Sequence, residues 1–289
     1  MIKEVSIIGG DLRIVKLANM LNEDNYKVST YGIEEDVSLD EKIIKCSTLN
    51  QAVDFSNILI SSIPFTKNGE LIHASFSSMP ITIKEFIQNT ENKVIIAGNI
   101  NSKITKELEV KNNKVIDILE QEELAVLNSV ATAEGALQIA LEETEITLHG
   151  SKILILGFGR IGKILAKMLK GIGADVYCEA RKNSDIAWIK AYGYKPIELQ
   201  ELEKNLQTFD FIFNTVPFIL LNKENLKKVK KSCLIIDLAS APGGVDQIVA
   251  KKLGLKYIWA LALPGKVAPT TAASYIKETL YHIFEEMEK

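Results

Sequence analysis

From one end of the chain to the other, short runs rich in β-branched residues alternate with helical patterns. The runs are VSIIG, KVSTYG, ILISSIP, KVIIAG and KVIDI, then KILILG, DVYCEA, FIFNT, CLIIDLA and KYIWALAL. Parallel strands need a crossover between neighbours, so this alternation predicts βαβ units and parallel sheets. The two halves open alike. Val5 to Gly10 leads into a helical face of Ile14, Leu17, Ala18 and Leu21, and Ile153 to Gly157 leads into Ile161, Ile164, Leu165, Met168 and Leu169. At 289 residues and 47% hydrophobic, the chain can bury two cores of that kind. The expected class is α/β, with two Rossmann-like, doubly wound parallel-sheet domains joined by a long helix. Residues 1–125 would form the first domain and 126–147 the bridging helix, around NSVATAEGALQIALEET. Residues 148–268 would form the second domain, and 269–289 a C-terminal helix returning to the first.

Composition excludes several roles. A net charge of −3, from 34 basic and 37 acidic side chains, supplies no field for a polyanion, so nucleic acid is not an expected partner. No uninterrupted apolar run approaches the ~20 residues of a spanning helix, and the opening MIKEVSIIGGD is a strand with a glycine turn rather than a leader. A cytoplasmic protein without a membrane partner is expected. Cys46, Cys178 and Cys233 lack any CxxC spacing and are expected to be buried structural thiols. His73, His149 and His282 show no metal-ligand spacing, so no metal site is expected. His149, just before a strand, is expected to be structural.

Only one of the two glycine turns suits a dinucleotide. Gly157-Phe158-Gly159-Arg160-Ile161-Gly162 follows a strand and opens an amphipathic helix. The first glycine permits the turn, the second lets a pyrophosphate approach the backbone, and the third lets helix and strand close together. The free N–H groups at the helix start then receive phosphate. In the N-terminal turn, Gly9-Gly10-Asp11-Leu12-Arg13-Ile14, Asp11 and Ile14 stand where the second and third glycines belong. A carboxylate there repels phosphate and serves better as a helix N-cap, so the first domain is expected to bind a substrate or partner.

Cofactor preference is set at the end of the next strand, DVYCEARK (175–182). The position that receives a ribose 2′-hydroxyl through an acidic side chain in NAD-type units holds Ala180 here, followed by Arg181 and Lys182. Glu179 is one residue early and by strand alternation faces the other side. The pattern predicts NADP, with NAD as a weaker alternative. Of the three arginines, Arg160 and Arg181 flank expected phosphate sites, while Arg13 is either an anion contact or a plain surface charge.

Thr215-Val216-Pro217, Asp237-Leu238-Ala239-Ser240 and Leu263-Pro264-Gly265-Lys266 each end or follow a strand at the carboxyl edge. A 2-hydroxyacid dehydrogenase would carry an arginine after the Asp237 strand and a proline-histidine pair after the last one. Ser240 and Pro264-Gly265 stand there instead, which disfavours simple alcohol oxidation.

The order and spacing of IIGGDLR (7–13), Asn128-Ser129, Thr132-Ala133-Glu134-Gly135, Leu148-His149-Gly150, GFGRIG, Ala180-Arg181, DLASAPGG (237–244) and LPGKVAP (263–269) carry a resemblance over the whole chain. It resembles the family of dipicolinate synthase A subunits, departing mildly at Lys182, where small polar residues are usual. The resemblance implies an oxidoreductase of endospore-forming bacteria, acting in the mother cell. Such an enzyme converts a dihydrodipicolinate-type intermediate of lysine biosynthesis to pyridine-2,6-dicarboxylate, with NADP and a smaller, flavoprotein-like B subunit. A homo-oligomer is expected. Such an oxidation needs hydride loss, proton loss and positioning of a dicarboxylate. Ser61, Ser62, Thr66, Asn128, Ser129 and Thr132 are the expected substrate donors. Lys266 would orient a carboxylate or simply face water, and Glu134 would accept a proton or be a structural helix residue. Two alternatives stay open, an enzyme resembling alanine dehydrogenase, suggested by DLASAPGG, and a non-catalytic cofactor-binding subunit.

Overall fold

The computed structural model describes residues 2–34 and 37–289. The chain divides into two compact units, Met1–Leu127 with Ala268–Lys289, and Asn128–Val267.

In the first unit six parallel strands form one sheet: β1 (Glu4–Ile8), β2 (Lys27–Tyr31), β3 (Ile44–Lys45), β4 (Ile58–Ser61), β5 (Val94–Ala97) and β6 (Lys114–Asp117). Their order is β3-β2-β1-β4-β5-β6, so the connection from β3 to β4 crosses the sheet and the winding reverses between β1 and β4. Successive side chains of β1 point to opposite faces, which is why both Ile7 and Ile8 are buried. Ile7 joins Ile14, Leu17 and Leu21 of the first helix (Leu12–Glu23) on one face. Ile8 joins Leu59, Phe65, Phe86 and Ile95 on the other. The C-terminal helix (Pro269–Met287) belongs to this unit, adding Ile276, Leu280, Ile283 and Phe284 to the first cluster. Asp24, at the end of the first helix, accepts hydrogen bonds from Lys277 Nζ at 2.6 Å and Tyr281 Oη at 2.5 Å.

The second unit repeats the plan with β7 (Lys152–Leu156), β8 (Asp175–Glu179), β9 (Lys195–Ile197), β10 (Phe211–Asn214), β11 (Leu234–Asp237) and β12 (Lys256–Trp259). All pairs are parallel, in the order β12-β11-β10-β7-β8-β9. Ile153 and Ile155 face Leu165, Ala166 and Leu169 of the helix Arg160–Ile172, and Leu154 and Leu156 face Phe209, Ile212 and Ile235.

The bridging helix is Glu122–Glu142, and the division between the units falls within it. By length and composition this helix could cross a membrane. Its Ala133, Ala136 and Ala140, however, are packed in the core of the second unit, and Leu124 in that of the first. Cys178 and Cys233 are buried, and burial pushes the Cys233 thiol up to about 12. Cys46 departs from its expected burial, being only half-buried next to the edge strand β3. His149 meets the Ile172 carbonyl through Nδ1 at 2.8 Å, closing the end of the helix Arg160–Ile172.

Candidate functional site

At the carboxyl end of β7 the chain turns at Gly157, whose φ of +91° favours glycine. A Cβ at this position would lie 2.6 Å from Thr215 Oγ1, and one at Gly162 would fall on the Gly157 carbonyl. At Gly159 a Cβ would meet nothing within 4 Å. Two glycines therefore close the turn and the third leaves space before it. Gly159 caps the helix without a side-chain hydrogen bond, and the first helical turn contains no acidic residue. Exposed backbone N–H groups and a positive helix end face that space, the donor set a pyrophosphate needs. The residues present fit a dinucleotide.

A cleft of about 260 Å³ lies there, lined by Gly157, Phe158, Gly159, Glu179, Ala180, Arg181, Lys182, Asp185, Thr215, Val216 and Pro217. Arg181 and Lys182 are exposed at its mouth, and Thr215 Oγ1 donates to the Leu156 carbonyl at 2.9 Å. Arg160, Ile161 and Gly162 belong to the helix that the turn opens. Leu238 and Ala239 are buried outside the cleft lining, with the Leu238 N–H on the Asn214 carbonyl and the Ala239 N–H on Asp237 Oδ1.

Glu179 requires a correction. Expected to face away, it lies in the cleft wall, 2% exposed, with Oε1 lacking a hydrogen-bond partner among the described residues. It is the last residue of β8, where the chain leaves the sheet and alternation no longer decides what a side chain borders. Burial raises its carboxyl above the ordinary range, opposed by the Gly157 backbone and Arg181.

The expected substrate donors have different fates. Ser61 and Ser62 are fully buried, their hydroxyls donating to the carbonyls of Ile8 at 2.8 Å and Phe65 at 3.0 Å. The expectation that these hydroxyls meet a substrate is therefore corrected, because both are used to tie β4 to its surroundings. Thr66 Oγ1 accepts from the Gly69 N–H at 2.9 Å and stays partly accessible. On the bridging helix Thr132 donates to the Asn128 carbonyl, and Ser129 is buried. Asn128 Oδ1 is buried with no partner among the described residues. Glu134 and Lys266 are both exposed.

Residues 4–119 match the family model described as the N-terminal domain of the dipicolinate synthase A subunit. Residues 128–261 match the NAD binding domain of D-isomer specific 2-hydroxyacid dehydrogenases. The dipicolinate synthase A subunit of Bacillus subtilis (strain 168) is 30% identical over 292 aligned residues, covering 99% of this chain and 97% of the relative. This chain belongs to the family of dipicolinate synthase A subunits. The crystal structures of that subunit from Bacillus halodurans and from Bacillus subtilis both superpose with a TM-score of 0.89 at 28% identity. They cover 97% and 100% of this chain, respectively, and 97% of each of those chains. This member of the dipicolinate synthase family is thus a dehydrogenase-type subunit whose second unit binds a nicotinamide cofactor.

Its first unit contains a polar cluster absent from the expected site residues. After β4 the chain passes a cis Ile63–Pro64 bond and returns to the N-terminal glycine turn. There the Gly10 N–H donates to the His73 carbonyl at 2.8 Å and the Ser75 N–H to the Gly10 carbonyl at 2.9 Å. Asp11 is the helix N-cap, accepting from the Arg13 N–H at 3.0 Å. Its carboxylate also holds the Arg13 guanidinium, with Nη2 at 2.7 Å. Arg13 is 6% exposed and also donates to the Ile63 carbonyl, so it is no surface charge. Lys67 Nζ lies 2.7 Å and Ser75 Oγ 3.0 Å from His73 Nε2. A histidine and an arginine thus stand in the first unit. A sequence signal existed in the spacing Lys67, His73, Ser75 after a strand, but without the return to Gly10 it was indistinguishable from an ordinary loop.

Proposed function

We propose that this chain is the NADP-dependent A subunit of a dipicolinate synthase. It would oxidise a dihydrodipicolinate-type intermediate of lysine biosynthesis to pyridine-2,6-dicarboxylate, with a smaller flavoprotein-like B subunit, in the cytoplasm of the mother cell during sporulation. One observation carries this reading: an open glycine turn flanked by Ala180, Arg181 and Lys182 on a chain that matches the family along nearly its whole length. Oxidised nicotinamide, when bound, supplies the hydride acceptor.

The chain's own residues do the rest. The Gly157–Gly162 backbone and the helix start receive the pyrophosphate, and Arg181 and Lys182 meet the 2′-phosphate with charge-assisted hydrogen bonds. Position 180 itself holds alanine, and of the two acidic residues bordering the cleft, Glu179 and Asp185, the first is buried with its carboxyl raised. Aromatisation of the ring drives the reaction, so orientation of the two substrate carboxylates matters more than a strong base. Thr66, Asn128 and Lys266 are the available donors; the unpaired Oδ1 of Asn128 suits a ligand N–H.

The experiment supplies the full chain, with and without the B subunit, with NADP and the freshly generated product of dihydrodipicolinate synthase, and follows dipicolinate by its ultraviolet absorbance. Product that depends on this chain is expected. NADPH binding without product, despite an active B subunit, overturns the substrate assignment, and equal affinity for NADPH and NADH overturns the cofactor preference. Lys266→Met and Glu134→Gln measure in the same assay what those two side chains contribute.

A further inference from the structure

In the first unit the sheet edge between β1 and β4 is the position at which doubly wound sheets bind their ligands, because the winding reverses there, and the chain after β4 returns across it to Gly10. The residues gathered at it are Asp11, Arg13, Lys67, His73 and Ser75. An ammonium only donates, so His73 Nε2 is the acceptor of the Lys67 and Ser75 hydrogen bonds and the ring proton sits on Nδ1. Nδ1 is buried and has no partner among the described residues. The His73 backbone is fixed on both sides, its N–H donating to the Phe65 carbonyl at 2.9 Å and its carbonyl accepting from Gly10. The ring is therefore held in place before any ligand arrives.

The charges are unbalanced. Two cations, Arg13 and Lys67, face one carboxylate, Asp11, and Asp11 is engaged by Arg13. Lys67 is left with a neutral imidazole, a weak partner for an ammonium compared with a carboxylate. Burial lowers the basicity of His73, with Lys67 and Arg13 adding to the effect and Asp11 opposing it, so the ring stays neutral at neutral pH. A neutral, pre-oriented imidazole beside an underused cation is what a proton-accepting carboxylate site requires.

We propose that Lys67 and His73 form the carboxylate-binding and proton-accepting centre of the reaction, with Lys67 meeting the carboxylate and His73 Nε2 as the base. This rests on the reading of function above. A substrate carboxylate takes over Lys67, and Nε2 loses its ammonium partner and becomes free. In the oxidation one ring C–H bond breaks with its electron pair, and the hydride acceptor would be the oxidised nicotinamide of a cofactor held by the Gly157–Gly162 turn. A proton leaves the neighbouring ring position to His73 Nε2, its bonding electrons completing the aromatic ring, and the imidazolium returns it to water.

The test uses the full chain together with its B subunit, as wild type and as the variants His73→Gln and Lys67→Met. The chain contains three histidines, so histidine-selective ring labelling gives three signals to follow by NMR. Dipicolinate is expected to move the His73 signal and leave those of His149 and His282 in place. His73→Gln is expected to lower kcat by about 10²–10⁴-fold and to abolish the acidic limb of the kcat/KM profile, which in the wild type falls as His73 protonates. NADPH binding by that variant should be unchanged. Lys67→Met should weaken dipicolinate binding by about 10-fold or more and move the His73 titration upward. A wild-type enzyme that makes dipicolinate while His73→Gln keeps its rate and pH profile overturns the proposal and leaves the proposed function standing. An unmoved His73 signal at saturating dipicolinate does the same without relying on any variant's folding. A wild-type chain that makes no dipicolinate with an active B subunit removes the function and this centre together.

Discussion

The two units share one strand order and one opening, a central strand running into a glycine turn and a helix, yet the two turns are built for different work. At Gly159 there is open space, no capping side chain and no acid. At the N-terminal turn Asp11 caps the helix, residues 73–75 close over Gly10, and a Cβ on Gly10 would lie 2.5 Å from Ile14. One topology thus yields a phosphate cradle in one unit and a filled, charged pocket wall in the other. The difference comes from Asp11 and Ile14, which stand where the second turn has Gly159 and Gly162, and from the loop that covers Gly10. Fold plan alone therefore says little about what either unit binds.

The comparison breaks most sharply at Gly162. Gly162→Ala should abolish cofactor binding and cost the second unit about 2–3 kcal/mol, because the new methyl meets backbone that cannot move aside. NADPH fluorescence titration and calorimetry read both effects. The counterpart Gly10→Ala, strained at φ +122°, should destabilise the first unit by about 1–3 kcal/mol and leave NADPH affinity unchanged. If Gly10→Ala also lost the cofactor, the division of labour between the turns would be wrong.

A smaller effect belongs to Arg181. Arg181→Ala should weaken NADPH about 10- to 100-fold and hardly alter NADH, measured by parallel titrations.

The tie between Asp24 and Lys277 with Tyr281 joins the first helix to the C-terminal helix, whereas the second unit's Lys195, with Asp175 and Tyr177, joins neighbouring strands. Both Lys277 and Tyr281 lower the Asp24 carboxyl below 3.8 by hydrogen bonding, so its contribution is present above that value and is lost as pH falls through the lowered range. The pair is partly exposed, so Asp24→Asn should cost at most about 1 kcal/mol near neutrality and converge with wild type in acid, as seen in melting curves across pH.

Glu179 should show the smallest effect and the opposite sign. Its carboxyl is raised above 4.5, so stability falls as pH rises from there through the raised value. Glu179→Gln removes that slope. The variant's Tm should gain on wild type with increasing pH; parallel curves would show that the buried carboxyl is indifferent to its surroundings.

Much of this architecture is legible in the chain. The unbroken runs VSIIG and KILILG, buried on both faces of their sheets, and the spacing of Leu165 and Leu169 after GFGRIG, depend on neighbours within a few residues. The Ala180-Arg181-Lys182 run is likewise read directly and lies on the cleft. Ser61 and Ser62 were less legible, because a hydroxyl at a strand end looks the same whether it awaits a ligand or donates to a backbone carbonyl 53 residues away, as Ser61 does. His73 was illegible for a related reason. It sits on an irregular excursion without periodicity, and neither of its backbone partners, Phe65 and Gly10, can be inferred from its own surroundings in sequence.

By itself the sequence determined two doubly wound sheets and one turn able to accept phosphate, because side-chain periodicity and glycine conformation are local properties. Tertiary structure alone decided that Lys67 meets His73 rather than a carboxylate, that Arg13 is buried against Asp11 and Ile63, and that Glu179 borders the cleft. Each of these depends on how the chain returns to the edge of a sheet, and hydrogen bonds between distant segments, not local preference, set that return.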